Sequence, residues 1–269
     1  MIHNGCICAL AQINGWRYIV EYFFETSGSI EKGHGFSHFS ITHIGWLIAF
    51  LVITAAVCIL YRKCGAVGRK RIRFTVSGLI LLDEILKVVV LVAVGRYTKN
   101  YLPIQLCSIN IFLIAIHVFK PTKTLDNFLY CICIPAALLA LVFPSWTKLP
   151  FANFMHWHSF TVHILLALYP IMLTVAGEIK PRVKYLWRSL LLLLCMAIPI
   201  YFFNMIADTN YMFLAEAEKG NPLYLFEQLW GNHLLGIPVI LVPLMTVLYL
   251  PWSLFYAYKS KRQAETLEA

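Results

Sequence analysis

Charge is what this sequence has least of. Only 13% of its 269 residues are Asp, Glu, Lys or Arg, where an ordinary soluble domain carries about 25%. Hydrophobic residues make up 60% and the mean hydropathy is +0.72. No single water-soluble core hides that much apolar surface, so the composition excludes a soluble globular protein and implies one embedded in a bilayer. The cysteines offer no disulfide framework. There are eight, Cys6, Cys8, Cys58, Cys64, Cys107, Cys131, Cys133 and Cys195, and most fall in apolar runs, where a thiol acts as a small hydrophobe. Cys131-x-Cys133 lacks the C-x-x-C spacing of a redox pair, and its side chains diverge by about 160° on a helix. Also missing are a P-loop, a G-x-G-x-x-G turn, an internal repeat and any low-complexity tract. The amino terminus has no basic segment leading into an apolar run, so no signal peptide is expected. A formal charge of +9 would suggest nucleic acid on a soluble domain. Here the basic residues sit in loops between apolar runs, and nothing points to nucleic-acid binding.

What is present is a series of apolar segments of membrane length. A bilayer core of roughly 30 Å needs roughly 20 apolar residues per helix. Spans are expected at about 42–61, 74–94, 102–119, 125–143, 157–176, 185–205 and 233–256. The expected fold is all-α, a polytopic membrane protein of about seven transmembrane helices. Residues 1–41 form an N-terminal interfacial segment, aromatic and amphipathic from Trp16 to Phe24. The transmembrane domain covers 42–256 and a polar tail 257–269. Seven spans put the termini on opposite sides. With the tail inside, fifteen Lys and Arg fall in inner loops and six in outer ones, Lys87 lying within a span. The positive-inside rule then puts the N-terminus outside and the C-terminus in the cytoplasm, in a multi-pass protein of the plasma membrane.

Against that topology the polar residues gather at one depth. The stretch Leu102-Pro103-Ile104-Gln105-Leu106-Cys107-Ser108-Ile109-Asn110 opens the third expected span from the outer face. Counted from Leu102, Cys107 lies roughly 8 Å deep at 1.5 Å per residue. The stretch from Met155 to His163 opens the fifth span from the same face, and His163 is roughly 9 Å deep. His43, Gln105, His158 and the loop Asp208-Thr209-Asn210-Tyr211 belong to the same outer layer. Polar groups in hydrocarbon normally face the bundle interior or a wet cavity. An imidazole beside a thiol promotes the thiolate. The thiolate can attack a lipid ester, and the histidine can serve as base toward water or an acceptor hydroxyl. Asn110, about 60° round the helix from Cys107, can orient the histidine or donate to an oxyanion.

Plainer readings stand beside these. Cys58, Cys131, Cys133 and Cys195 read as structural. Ser108 and Asn110 can hydrogen-bond neighbouring helices. His156 and His158 suit the interface. Lys87 is i+4 to Asp83 and i+3 to Glu84, an internal ion pair that is either structural or part of a cavity wall. His158 and His163 point about 140° apart on a helix, which argues against a metal site made from His156, His158 and His163.

Several elements carry a resemblance over nearly the whole chain. They are Phe36 to His43, Glu84 in the second span, the Leu-Pro-x-x-Leu-Cys element at Leu102 to Cys107, Asn127-Phe128-Leu129-Tyr130, Phe143-Pro144, Phe160-Thr161-Val162-His163, and Asn210-Tyr211-Met212-Phe213-Leu214. Through them the chain resembles the YwaF-like integral membrane proteins of bacteria. That family looks related to the transmembrane protein 164 acyltransferase family, which moves polyunsaturated acyl chains onto ether lysophospholipids. The resemblance implies an acyltransferase or lipid-ester hydrolase with Cys107 as nucleophile and His163 as base. His43, Glu84, Gln105, Asn110, His158, Asn210 and Tyr211 are the expected pocket residues. Where the family often has histidine before Leu-Cys, this chain has Gln105. The implied partner is a phospholipid or other acyl lipid. No cofactor is required, because the acyl chain passes through a thioester; the oligomeric state stays open. The rivals are a small-solute transporter or binding protein and a structural membrane subunit. The transporter lacks the support of an internal repeat or of paired broken helices.

Overall fold

The computed structural model describes residues 22–31, 33–217 and 223–268. Most of the expected interfacial stretch from Trp16 to Phe24 therefore lies outside the described residues, as do Cys6, Cys8, Arg17, Lys32 and Lys219. Every regular element among the described residues is helical. In chain order they are α1 (Ile41–Lys63), α2 (Ala66–Ala93), α3 (Leu106–Phe119), α4 (Lys123–Val142), α5 (Phe154–Val175), α6 (Leu186–Ala207), α7 (Leu223–Trp230) and α8 (Gly236–Glu268). Five segments are long and apolar enough to cross a bilayer: Ile41–Lys63, Lys123–Val142, Phe154–Val175, Val183–Ala207 and His233–Gln263. The other two expected spans differ in kind. α2 has 28 residues, but its apolar part holds Asp83, Glu84 and Lys87. α3 has 14 residues, roughly 21 Å at 1.5 Å per residue.

α3 starts later than expected because Leu102 precedes a proline, which disfavours helical backbone there. Residues 102–105 make a turn, with the Ile104 N–H bonded to the Leu102 carbonyl (2.8 Å), and Gln105 holds the N-cap position in extended conformation with no side-chain bond to the helix. Cys107 is consequently in the first turn of α3. α4 contains a π turn at Leu129–Cys133, where the Ile134 N–H reaches back five residues to Leu129. Pro135, next in the chain, has no N–H to continue the ladder.

The chain divides into two compact units, Met1–Tyr101 with Ala136–Tyr169, and Leu102–Pro135 with Pro170–Ala269. In the first unit α1 and α2 form a hairpin. Arg69 closes it by donating Nε to the Tyr61 and Cys64 carbonyls (3.2 and 3.0 Å), which answers the open carbonyl end of α1. Its apolar core joins Ile30, Leu91, Leu149 and Met155 with Tyr97, Trp146 and Phe154. In the second unit the core joins Phe128, Cys131, Ile132, Met245 and Tyr249. The Asn127 side-chain oxygen there accepts from the Arg182 N–H and the Tyr249 hydroxyl (3.0 and 3.1 Å). Exposed apolar side chains such as Leu51, Leu194 and Val247 remain on the long helices, as a lipid-facing surface requires.

Candidate functional site

In the first unit the buried charges of α2 face α5. Lys87 Nζ donates to Glu84 Oε1 at 2.5 Å. His158 sits between the two carboxylates, with Nδ1 2.9 Å from Asp83 Oδ2 and Nε2 4.0 Å from Glu84 Oε2. The Asp83–His158 approach is close but is not an aligned hydrogen bond, since neither atom has a well-directed partner among the described residues. Glu84, Lys87 and His158 are each under 8% exposed. Asp83, Glu84, Lys87 and His158 are therefore one cluster.

Three histidines of this unit have their tautomers set by their partners. His43 Nδ1 accepts from the Phe39 N–H (2.8 Å), so its Nε2–H donates to the Leu141 carbonyl (2.7 Å). Both nitrogens are spent on backbone, and His43 ties the chain before α1 to the end of α4. His156 Nε2 accepts from the Trp46 indole (2.9 Å), so its Nδ1–H donates to Leu149 O (3.2 Å). His163 differs. Its Nδ1 lies 2.5 Å from the Ser159 carbonyl one turn back. A carbonyl only accepts, so Nδ1 carries the proton and Nε2 carries the lone pair, the arrangement a general base needs. Trp146 stacks on the His163 ring, centroids 5.1 Å apart and planes 18° from parallel, which fixes the ring plane.

The turn bearing Trp146 is clasped by the segment before α1. The Phe36 N–H donates to Thr147 O (2.9 Å). A Cβ on Gly35 would lie 1.9 Å from that same oxygen, so only glycine permits the approach. Asn153 donates to the Tyr22 and Glu25 carbonyls (2.6 and 2.8 Å), and the Arg96 guanidinium pairs with the Glu25 carboxylate. The Trp146 Nε1 is buried and has no hydrogen-bond partner among the described residues. An unpaired buried donor costs about 1–3 kcal/mol.

In the second unit the first turn of α3 meets the loop after α6. Gln105 Oε1 accepts from the Met212 N–H at 2.8 Å instead of capping its own helix. Asn204, 2% exposed, organises the loop. Its oxygen accepts from the Thr209 hydroxyl and the Tyr211 N–H, and its amide donates to Tyr211 O, all at 2.9 Å. Asn210 ties residues 215 and 216 through their N–H groups (3.2 Å each) and donates to Glu216 O (3.0 Å). Tyr211 is buried. Met212 and Phe213 are both left-handed, φ 57° and 55°, a strain of about 1 kcal/mol or more apiece. Gln105 on one side and His233, whose Nε2–H donates to Phe213 O (2.9 Å), help to hold them. Asn110 is 1% exposed, and its Oδ1 meets no partner among the described residues. α3 packs on the π turn of α4, which brings Cys133 within electrostatic range of Cys107.

The expected residues thus fall into two groups, each described within its own unit. His43, Glu84, His158 and His163 belong to the first, and Gln105, Cys107, Asn110, Asn210 and Tyr211 to the second. Sequence reasoning passed over Asn204 and Trp146. An amide near the end of an apolar span was the available signal for Asn204. Trp146 belongs to no motif, and no sequence pattern marks it.

All-helical architecture, five segments able to cross a bilayer and buried charge inside the helices define a multi-pass membrane protein. Within that class the chain belongs to the TMEM164 family, which matches residues 38–249. No curated protein and no solved structure matches it.

Proposed function

We propose that this protein is a membrane-embedded acyltransferase or lipid-ester hydrolase, with Cys107 as nucleophile and His163 as base. The observation that carries the reading is the His163 tautomer, with Nδ1–H on Ser159 O and the lone pair on Nε2. Membership of the TMEM164 family agrees with it. His163 takes the thiol proton, and the sulfur adds to the ester carbonyl carbon of a phospholipid or other acyl lipid. The ester C–O bond breaks, and the imidazolium returns its proton to the leaving oxygen. Water or an acceptor hydroxyl then gives a proton to His163 and attacks the thioester. The C–S bond breaks, and the thiolate regains a proton.

In this reading seven spans, N-terminus outside, hold the site in the outer half of the plasma membrane of a bacterium, in a YwaF-like member of the family. His43, Glu84, Asn110, His158, Asn210 and Tyr211 are the pocket candidates of this reading. Gln105 keeps a positioning role, because it supplies an acceptor for the Met212 N–H. One observation favours a second reading, solute or proton transport: ionisable side chains buried in a span commonly mark an ion path, and Asp83, Glu84, Lys87 and His158 are such a set.

The test is acyl-adduct trapping. The purified protein, Cys107→Ala and His163→Ala are incubated with lipid extract and analysed by intact mass. A hydroxylamine-sensitive acyl adduct on the parent, absent from Cys107→Ala and formed at least about a hundredfold more slowly by His163→Ala, is the expected result. A parent that stays unmodified, while reconstituted vesicles acidify or take up solute in a Glu84-dependent way, transfers the assignment to transport.

A further inference from the structure

Within the second unit, the end of α3 opposite Cys107 is rich in cations. Lys120 and Lys123 lie at the turn from α3 into α4, and Lys180, Arg182, Lys184 and Arg188 lead into α6, with Asp126 and Glu178 as the acids of the same segments. We propose that this end of the unit binds the headgroup of an anionic phospholipid. The inference does not depend on the acyl-transfer reading, which centres on Cys107.

A run of loop cations is by itself accounted for by topology, because the positive-inside rule counts charges and asks nothing of their geometry. Here the geometry is built. Asn127 is 1% exposed. Its amide donates to the Lys123 carbonyl (2.8 Å), and its oxygen accepts from the Arg182 N–H and the Tyr249 hydroxyl (3.0 and 3.1 Å). One buried side chain thereby joins the start of α4, the segment before α6, and α8. From that anchor the Arg182 guanidinium lies over the Tyr256 ring of α8, 4.8 Å from its centroid. The Tyr185 N–H bonds the Arg182 carbonyl (3.0 Å). The Tyr185 ring in turn gathers two cations, Lys184 Nζ at 5.1 Å and the Arg188 guanidinium at 5.5 Å. A guanidinium laid on an aromatic face keeps its N–H edge for an oxyanion. Arg182, Lys184 and Arg188 are all exposed, and among the described residues no ion pair engages them. Asp126 is buried and faces His117 and Lys123 instead (2.9 and 3.5 Å).

The surroundings select a lipid over a soluble anion. Three segments able to cross a bilayer end here: Lys123–Val142 and Val183–Ala207 begin at the cluster, and His233–Gln263 carries Tyr256 two turns from its end. The cations therefore sit at headgroup level, where each Lys or Arg adds to the attraction for an anionic lipid. Directly beyond them, Trp187, Leu191, Leu194 and Ile198 follow one face of α6, each more than half exposed. A lipid with its phosphate among the cations lays an acyl chain along that stripe.

Native mass spectrometry tests the site. The purified protein in neutral detergent is titrated with dioleoylphosphatidylglycerol or dioleoylphosphatidylcholine. The parent is expected to retain phosphatidylglycerol at the lower concentration. Arg182→Gln combined with Arg188→Gln should weaken phosphatidylglycerol binding about thirtyfold and leave phosphatidylcholine binding unchanged. Lys63→Gln combined with Arg71→Gln removes the same charge from the α1–α2 hairpin and should bind as the parent does. Equal retention of the two lipids by the parent, or an equal loss in both double variants, overturns the proposal. Displacement of phosphatidylglycerol by inorganic phosphate, but not by chloride at the same ionic strength, overturns it in favour of a soluble anion. Should the arginine variant fail to fold, Lys180→Gln combined with Lys184→Gln changes two exposed side chains of the same cluster, and the same comparison applies.

Discussion

Glu84 and Lys87 sit buried on one face of α2, 2.5 Å apart. Such a pair contributes little net stability, but removing one member strands a charge in hydrocarbon at about 3–5 kcal/mol. Glu84→Gln alone and Lys87→Gln alone are therefore expected to lower the thermal unfolding midpoint in detergent sharply. The double variant should recover most of the loss. The same three proteins resolve a question the sequence left open. A double variant that folds and still acylates marks the pair as structural, whereas one that folds and is inert places it in the pocket wall. The i, i+3 spacing of these residues was plain in the sequence; the His158 contact from α5 was not, because no local pattern links positions 75 residues apart. His43 and His156 show the converse. His43 was an expected pocket residue and His156 suited the interface, and both have their nitrogens spent on a carbonyl and an N–H donor.

At the level of elements, the long apolar runs located the helices well. Each of the seven expected apolar runs overlaps a helix, five of the segments being long and apolar enough to cross a bilayer, while α2 begins eight residues before the expected start and α8 runs twelve past the expected end. The differences have local causes. Pro103 delays α3 to Leu106, and a π turn ahead of Pro135 interrupts α4. Hydrophobic runs report length and burial, and they are silent about the turns between them. The 143–153 turn is an example, because its shape depends on a glycine more than a hundred residues upstream. Gly35→Ala drives a Cβ against a backbone oxygen, which no side-chain rotation relieves. Overpacking of this kind costs about 1–3 kcal/mol. A lower unfolding midpoint, with Trp146 fluorescence shifted to the red as its indole leaves the buried position, is the expected outcome. A midpoint within a degree of the parent would show that the turn relaxes freely. Gly236 plays the matching part for α7, its Cα approached so closely that an added Cβ would meet the Phe226 ring at 2.2 Å.

For the whole molecule, composition alone was enough to show a membrane protein, and the basic residues suggested its orientation. A cysteine-specific, membrane-impermeant reagent tests that orientation directly. In a background with the native cysteines replaced, a cysteine at position 265 is expected to label only after the cell membrane is opened, and one at position 100 in intact cells. The reverse pattern would invert the topology. What the sequence did not disclose is the division into two units, because apolar periodicity shows that a helix is buried without showing against what.

That division has a consequence for how the chain is made. Both units are discontinuous: residues 136–169 complete the first, and 170–269 complete the second, which begins at Leu102. During synthesis the first unit has all its parts once Tyr169 has left the ribosome. Residues 102–135 by then are already in the membrane without their partners. The strained Met212–Phe213 turn, held by Gln105 and by His233, cannot be fixed until the chain has grown past that histidine. A message cut short before α8 therefore yields a protein with one finished half and one half that lacks Met245 and Tyr249 from its core and the Tyr249 hydroxyl that bonds Asn127, a substrate for membrane quality control rather than a weakened enzyme.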